Sequence, residues 1–288
     1  MYQFFVDSSQ IDMENKTVTI TGADVNHIKN VLRMKPGEEL AVSNGQDGRE
    51  YRCAIRAFRE AADVQPVCRQ TSGERSANGQ PAGRQSADGG ATCGFGIVDC
   101  ELRFVKEEGV ELPVKITLFQ GLPKADKMEL IIQKAVELGV YRVVPVEMKR
   151  CVVKLDAKKA KAKTARWQQI AEAAAKQSKR AVIPEIAEPV SFRKALESAE
   201  KMQVKLLPYE LAEGMEKTRT LLRAIAPGQE VAVFIGPEGG FDEVEVQAAR
   251  EQGMEPITLG RRILRTETAG MTVLSWLVYL LEGRQAES

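Results

Sequence analysis

Histidine is almost absent from this chain of 288 residues, in which His27 is the only one. The five cysteines stand at positions 53, 68, 93, 100 and 151, and no two of them form a Cys-x-x-Cys pair. A zinc site needs four nitrogen, sulfur or oxygen ligands, which usually come in paired spacings. This scarcity argues against a metal site and against a Cys–His nucleophile, and it favours free thiols.

The chain also lacks a long apolar run and a leader-like N-terminus. No apolar stretch reaches the roughly 18 residues that a membrane span requires. The nearest one, residues 273–281, contains Ser275 and predicts a buried helix. The first ten residues, MYQFFVDSSQ, do not place a basic segment before an apolar one, as a signal peptide does. We therefore expect a cytoplasmic protein that does not contact a membrane.

Two common nucleotide-binding fingerprints are missing as well: no Gly-x-Gly-x-x-Gly follows a first strand, and there is no P-loop. The net charge of +1 does not indicate a polyanionic partner, but its distribution is uneven. Residues 149–180 contain eleven Lys or Arg and two acids, which gives this segment a formal charge of +9. Such a stripe suits a phosphate backbone. A solvated helix face rich in Lys and Ala explains it equally well.

The first part of the chain alternates short β-like runs with turns. Strands are predicted at Thr17–Ile20, Glu39–Ser43 and 50–57, and a helix at 24–34. Residues 69–97 are rich in Gly, Ser, Ala and Gln and cannot bury enough apolar surface to offset chain entropy. We interpret them as a flexible insert between two strands of a small β-barrel domain that spans residues 1–110.

From residue 112 onward strands alternate with helices, which predicts a mostly parallel sheet with helices on both faces. This pattern defines a second α/β domain, residues 111–288. Its predicted strands are 114–120, Arg142–Glu147, 204–207, 231–235 and 257–259, and its clearest helices are 127–138 and 157–178.

Two segments near the C-terminus are the most informative: FIGPEGGF at 234–241 and LGRRILRTETAG at 259–270. Each reads as a strand, a glycine-containing loop and a helix, and Asp242 with Glu245 predicts a capping box at one helix start. Either segment alone is adequately explained as a turn that needs glycine. Two such strand ends placed side by side form a ligand crevice.

Together with five further motifs in order, these segments resemble the RsmE family of ribosomal RNA methyltransferases, within the SPOUT superfamily. The resemblance covers nearly the whole chain except the insert. It implies a PUA-like β-barrel, a deep trefoil knot in the α/β domain, and a homodimer that uses the C-terminal helix. The five motifs are HIKNVLRMKPGEEL (27–40), GLPKADKMELIIQKAVELGV (121–140), MKRCVVKLD (148–156), KQSKR (176–180) and LLPYE (206–210).

The resemblance also implies the cofactor, S-adenosylmethionine, and its binding residues. Small residues let backbone amides and carbonyls approach the adenine closely, and Tyr209 or Glu210 is expected to contact the ribose or the amino acid group. The implied set is Leu207, Pro208, Tyr209, Glu210, Ile235, Gly236, Pro237, Gly239, Gly240, Leu259, Gly260, Ile263, Leu264, Arg265 and Thr268.

The implied reaction is methyl transfer to N3 of a uridine in 16S ribosomal RNA of the small subunit. Because N3 carries a proton, the enzyme must help to form the uridine anion. Arg265 is the expected stabiliser of that anion. Glu267 is expected either to accept the proton or to orient Arg265, and a purely structural Arg265–Glu267 pair is the alternative.

Contacts to RNA are expected from polar residues in the matched motifs, and two positions depart from the family pattern. Gln3 stands where the family often has Arg, and Cys151 stands where it has Ser, so an RNA contact is in doubt at each. The residues implied to bind RNA are Arg33, Arg150, Lys154, Gln177, Ser178 and Arg180.

Two other functions fit parts of the sequence. A non-catalytic RNA-binding factor for ribosome assembly would explain the barrel and the basic stripe, but not the two C-terminal loops. A SPOUT methyltransferase that acts on a ribose 2′-hydroxyl of another RNA would keep the cofactor and change the target.

Overall fold

The computed structural model describes residues 1–60, 96–107, 109–212 and 214–282. Most of the predicted insert at 69–97 therefore lies outside the described residues, as do Cys68 and Cys93. The chain divides into two compact units, residues 1–44 with 50–106 and residues 45–49 with 107–288.

The first unit is built on a six-stranded sheet that forms a half-barrel in the order β1-β4-β5-β6-β3-β2. Among the described strands of this sheet, β1 and β4 pair in parallel and the other neighbours are antiparallel. Val18 and Ile20 alternate with half-buried threonines along β3, so that one face of the sheet covers the core. The strands are β1 (Gln3–Phe5), β2 (Ile11–Asp12), β3 (Thr17–Ile20), β4 (Glu39–Ser43), β5 (Glu50–Arg59) and β6 (Ile97–Lys106).

The helix predicted at 24–34 is shorter and less regular than expected. It starts as an α-helical turn, α1 (Ala23–Asn26), and continues as a π-helical turn, His27–Val31. Arg33 then takes a left-handed conformation (φ 55°), which ends the helix before Pro36. Val25 and Ile28 still face the core, as the periodicity predicts.

Two cysteines of this unit are buried in its core, Cys53 on β5 and Cys100 on β6. Burial raises the pKa of each thiol to about 12. At pH 8 the thiolate fraction is then about one part in ten thousand. We expect native protein to resist iodoacetamide at both positions. Mass spectrometry of native and urea-unfolded samples checks this, and equal labelling of Cys53 in the two samples would contradict it.

The second unit contains seven parallel strands in the order β10-β8-β7-β12-β11-β13, with β9 also paired to β8. The predicted mixed α/β fold with a mostly parallel sheet is therefore confirmed. The strands are β7 (Lys115–Gly121), β8 (Arg142–Glu147), β9 (Glu185–Ile186), β10 (Val190–Ser191), β11 (Val204–Pro208), β12 (Glu230–Ile235) and β13 (Glu255–Ile257). The helices are α2 (Lys127–Glu137), α3 (Ala157–Gln177), α4 (Phe192–Ser198), α5 (Met215–Arg223), α6 (Glu243–Glu251) and α7 (Thr266–Leu281).

The central strands β7 and β12 are buried almost throughout, and only the first residue of each is exposed, as expected for strands in the middle of a parallel sheet. Phe119 of β7 and Phe234 of β12 stack with ring centroids 4.2 Å apart. This packing holds the carboxyl ends of the two strands rigidly beside each other. The loops that follow those ends therefore start from the buried centre of the sheet.

Helix α3 carries most of the basic stripe. Asp156 caps its N-terminus by accepting a hydrogen bond from Lys159 N (2.8 Å). Trp167 and Ala171 lie on its buried face, while Lys158 and Lys161 are exposed.

No helix in the described part of the chain is long and apolar enough to cross a membrane.

Candidate active site

The loop after β12 is a compact turn. Gly240 N donates to Pro237 O (2.9 Å), and Gly240 needs a positive φ of 68°. A Cβ placed on Gly236 would lie 3.2 Å from the Gly240 carbonyl carbon, so a side chain there would push the backbone of the turn aside. Helix α6 follows at once, and the predicted capping box of Asp242 and Glu245 is confirmed.

The loop after β13 runs from Thr258 to Arg265 and turns at Gly260, which has φ 106°. Arg265 is the N-cap residue of α7 and keeps an extended backbone. Between β12 and β13 lies β11, whose end supplies Pro208, Tyr209 and Glu210. Three adjacent parallel strands thus end at the same edge of the sheet, where α/β proteins form ligand crevices.

These three strand ends enclose a cleft of about 400 Å³. Of the fifteen residues predicted to bind the cofactor, twelve line it. Leu207 is instead fully buried in the core behind the cleft, Gly239 packs against Arg150, and Thr268 is exposed on α7 outside the lining. The cleft is also lined by residues that the motif assignment missed: Lys127, Glu238, Phe241, Thr258, Arg261, Arg262, Thr266 and Ala269.

Lys127 and Glu238 line the cleft and form an ion-pair cluster with Glu267, which lies outside the lining. Lys127 Nζ lies 3.0 Å from Glu238 Oε1 and 3.5 Å from Glu267 Oε2. The hydrogen bond to Glu238 raises the pKa of Lys127. Partial burial opposes ionisation of Glu238, but hydrogen bonds from backbone N–H groups and from Lys127 outweigh it, so its pKa is lowered. Lys127 is therefore a cation that two carboxylates already neutralise.

Arg265 does not pair with Glu267. The two residues stand two positions apart at the start of α7, and side chains at that spacing point in different directions. Arg265 is exposed on the cleft wall, and within the described part of the chain its guanidinium has no hydrogen-bond or ion-pair partner. The cleft is therefore lined by three exposed arginines without a polar partner among the described residues, Arg261, Arg262 and Arg265, while Glu267 pairs with Lys127.

Comparison with known proteins identifies the family. An RNA methyltransferase domain model matches residues 110–278, and an RNA methyltransferase PUA domain model matches residues 20–61. Ribosomal RNA small subunit methyltransferase E of Bacillus subtilis is 34% identical over 99% of this chain and 100% of its own length. The chain belongs to the ribosomal RNA small subunit methyltransferase E family. The family predicted from the sequence is confirmed.

Solved structures agree with this assignment. The family member from Neisseria gonorrhoeae, solved bound to S-adenosylmethionine, is 27% identical with a TM-score of 0.71, over 97% of this chain and 98% of that one. A putative methyltransferase from Legionella pneumophila, solved in complex with the same cofactor, is 28% identical with a TM-score of 0.69, over 96% of each chain.

The residues that the family resemblance assigned to RNA fall into two groups. Lys154, Gln177 and Arg33 are exposed, and within the described ranges none has a polar partner, so their assignment stays a prediction. Arg150 and Ser178 bond to the protein itself: Arg150 Nη1 donates to Gly239 O (3.1 Å) and Ser178 Oγ to Ala174 O (2.7 Å). Arg150 thereby braces the loop after β12.

The two departures from the family pattern also have internal partners. Gln3 Nε2 donates to Ser43 Oγ (3.3 Å) within the first unit. Cys151 Sγ accepts a hydrogen bond from Met148 N (3.3 Å). Burial raises the pKa of this thiol, which therefore acts as a neutral packing group.

Arg180, the last of the residues assigned to RNA, is held inside the protein by internal contacts instead. Its side chain is buried and pairs with Glu111, with Nε 3.1 Å from Oε2. Its Nη1 also donates to Val136 O (3.0 Å) and Val140 O (2.7 Å) at the end of α2. These contacts use the donor groups of the Arg180 guanidinium, so in this conformation Arg180 has no donor to offer to a phosphate.

We expect Arg180→Met to lower the free energy of unfolding by about 3 kcal/mol, because it leaves a carboxylate and two helix carbonyls without their donor. Urea unfolding followed by circular dichroism measures the loss. The matched control is Lys154→Met, an exposed position that should change stability by less than about 0.5 kcal/mol. Equal unfolding midpoints for Arg180→Met and wild type would contradict the structural role.

Proposed function

We propose that this protein transfers a methyl group from S-adenosylmethionine to N3 of a uridine in 16S ribosomal RNA of the small subunit. The observation that carries the proposal is the cleft at three adjacent strand ends, in a chain that belongs to a methyltransferase family. Relatives named for small-subunit rRNA methylation and solved with this cofactor support it.

The cleft suits an adenosyl group. Ile235, Phe241 and Leu264 supply apolar surface, and Gly236 and Gly240 expose backbone groups without side chains in the way. Most of the residues first assigned to the cofactor line this space, and we propose that they bind it. When bound, the cofactor supplies an electrophilic methyl group on a sulfonium.

The protein's own task is to make uridine N3 nucleophilic. We assign stabilisation of the uridine anion to Arg265, because it stands at the end of the second cofactor loop and its guanidinium, like those of Arg261 and Arg262, is uncommitted among the described residues. Lys127, by contrast, is paired with Glu238 and Glu267. Glu267, which forms an ion pair with Lys127, is the assigned proton acceptor. The N3–H proton passes to that base, N3 forms a bond to the methyl carbon, and the carbon–sulfur bond breaks to leave S-adenosylhomocysteine.

The remaining parts of the proposal concern assembly and RNA. We infer a PUA-like β-barrel domain in residues 1–110, and in residues 111–288 a SPOUT domain with a trefoil knot. We also infer a cytoplasmic homodimer that pairs through α7, where Tyr279 is 85% exposed. Arg33, Lys154 and Gln177 are its candidate RNA contacts, and phosphate contacts of this kind weaken steeply with added salt.

The decisive experiment incubates purified protein, labelled S-adenosylmethionine and small ribosomal subunits that lack the modification, and analyses the rRNA nucleosides by mass spectrometry. N3-methyluridine is the expected product. A 2′-O-methylated nucleoside would establish the alternative target. RNA binding without any labelled product, and without a thermal shift by the cofactor, would establish the assembly-factor alternative.

A further inference from the structure

Gln120 lies at the end of β7 and is a buried polar residue. It belongs to none of the sequence motifs, and it does not line the cleft. Its side chain is 0% exposed, and it lies behind the cleft rather than in its wall. A polar amide in the middle of an apolar sheet is costly unless it has a specific function or is fully hydrogen-bonded.

The amide is the first member of a directed hydrogen-bond chain. Gln120 Nε2 donates to Gly121 O (3.0 Å) and to Thr266 Oγ1 (2.8 Å), and Thr266 Oγ1 donates to Gly236 O (2.6 Å). Both backbone carbonyls can only accept, so the direction of every bond is fixed. The chain therefore runs from β7 through the first turn of α7 to the loop after β12.

This chain joins the two loops that enclose the cleft. Gly236 begins the first loop and Thr266 is the first residue of α7, directly after the second loop, and the Thr266 hydroxyl bridges them. The end of β7 also packs directly beneath the first loop, since a Cβ on Gly121 would lie 2.7 Å from Pro237 N. Gln120 thus orients the Thr266 hydroxyl, and that hydroxyl sets the distance between the two loops that enclose the cleft.

The arrangement is not the one that stability alone would favour. Gln120 Oε1 is buried, and in the described part of the structure it has no hydrogen-bond partner. An apolar side chain of the same length would avoid that unpaired acceptor. The donor, by contrast, is aimed at the one hydroxyl that links the loops.

We propose that Gln120 is a positioning residue for cofactor binding, which acts through Thr266 to hold the two loops at the separation the cofactor requires. The inference rests on the proposed function, because it takes the cleft to be the S-adenosylmethionine site.

Three variants test it: Gln120→Met, Thr266→Val and Thr266→Ser, with Thr117→Val as the control for loss of a buried hydroxyl on the same strand. Calorimetry measures the Kd for S-adenosylmethionine, and steady-state assays separate KM from kcat. Gln120→Met and Thr266→Val should each raise Kd at least about tenfold. The double variant Gln120→Met/Thr266→Val should raise Kd no more than either single variant does, because both substitutions break the same hydrogen-bond chain.

Thr266→Ser keeps the hydroxyl and should restore Kd to within about threefold of wild type. In the Thr117→Val control, saturating kcat and the thermal midpoint without cofactor should change little. Unchanged Kd in folded Gln120→Met would overturn the inference, and so would an equal loss in Thr117→Val. Failure of the wild-type protein to bind the cofactor would instead overturn the proposed function from which the inference starts.

Discussion

Replacing Arg265 with glutamine is expected to lower kcat of methyl transfer by about 10²- to 10³-fold, the size of effect seen when one preorganised donor to a developing anion is removed. The Kd for S-adenosylmethionine should change much less than kcat, because Arg265 is only one of the many residues that line the cofactor cleft. The substitution removes a positive charge at the stage where uridine N3 has lost its proton. A contribution made mainly in the transition state appears in kcat rather than in binding.

The Arg265→Gln substitution should leave protein stability nearly unchanged, so a lower kcat would not reflect unfolding. Arg265 is exposed and has no polar partner within the described residues, so its loss leaves no carboxylate unpaired. Arg250→Gln is the matched control, because Arg250 is also an exposed arginine whose side chain makes no ion pair among the residues described, but it lies on α6 away from the cleft. That control should retain wild-type kcat.

The pH profile provides a second, independent measurement. If Arg265 acts by stabilising the uridine anion, the variant depends more on solvent to ionise N3. Its rate should therefore rise more steeply with pH than the wild-type rate, and the deficit should narrow in alkaline buffer. A parallel profile with reduced kcat would assign Arg265 to alignment of the substrate, and an unchanged kcat would remove it from the mechanism.

The features that sequence reasoning predicted correctly are those that depend on near neighbours in the chain. The apolar run of β12, the turn at 236–240 and the capping box at Asp242 each require only residues within one or two turns. The same holds for α3, whose predicted span of 157–178 agrees with Ala157–Gln177. Local periodicity and turn chemistry specify such elements whatever the rest of the chain does.

The features that sequence reasoning missed depend on partners distant in the chain. Arg180 stands in a basic segment and looks like a phosphate ligand, but Glu111, 69 residues away, holds it in the core. Gln120 and Thr266 are 146 residues apart, so nothing in either segment indicates their hydrogen bond. The alternative of a structural Arg265–Glu267 pair is wrong for the same reason, because Glu267 pairs instead with Lys127 of another helix. Charge and polarity identify what a side chain can do, whereas the tertiary fold selects its partner.

Replacing Gly236 with tryptophan is expected to abolish measurable binding of S-adenosylmethionine. Even a Cβ at this position would lie 3.2 Å from the carbonyl carbon and 3.3 Å from the Cα of Gly240, so the loop must open to accept it. The indole would then enter a cleft of about 400 Å³, in which it competes for the space that an adenosyl group needs. Backbone displacement and direct filling of the cleft act in the same direction.

The matched control is Val244→Trp, which adds the same side chain on the exposed surface of α6, just beyond the same loop. Calorimetry should show wild-type affinity for the control and no heat for Gly236→Trp, while circular dichroism confirms that both variants fold. The comparison is decisive because the first loop contacts the cofactor only if the cleft at the ends of β11, β12 and β13 is the binding site. A folded Gly236→Trp protein with wild-type affinity would place the cofactor elsewhere, and the assignments of Arg265 and Gln120 would then lose their basis.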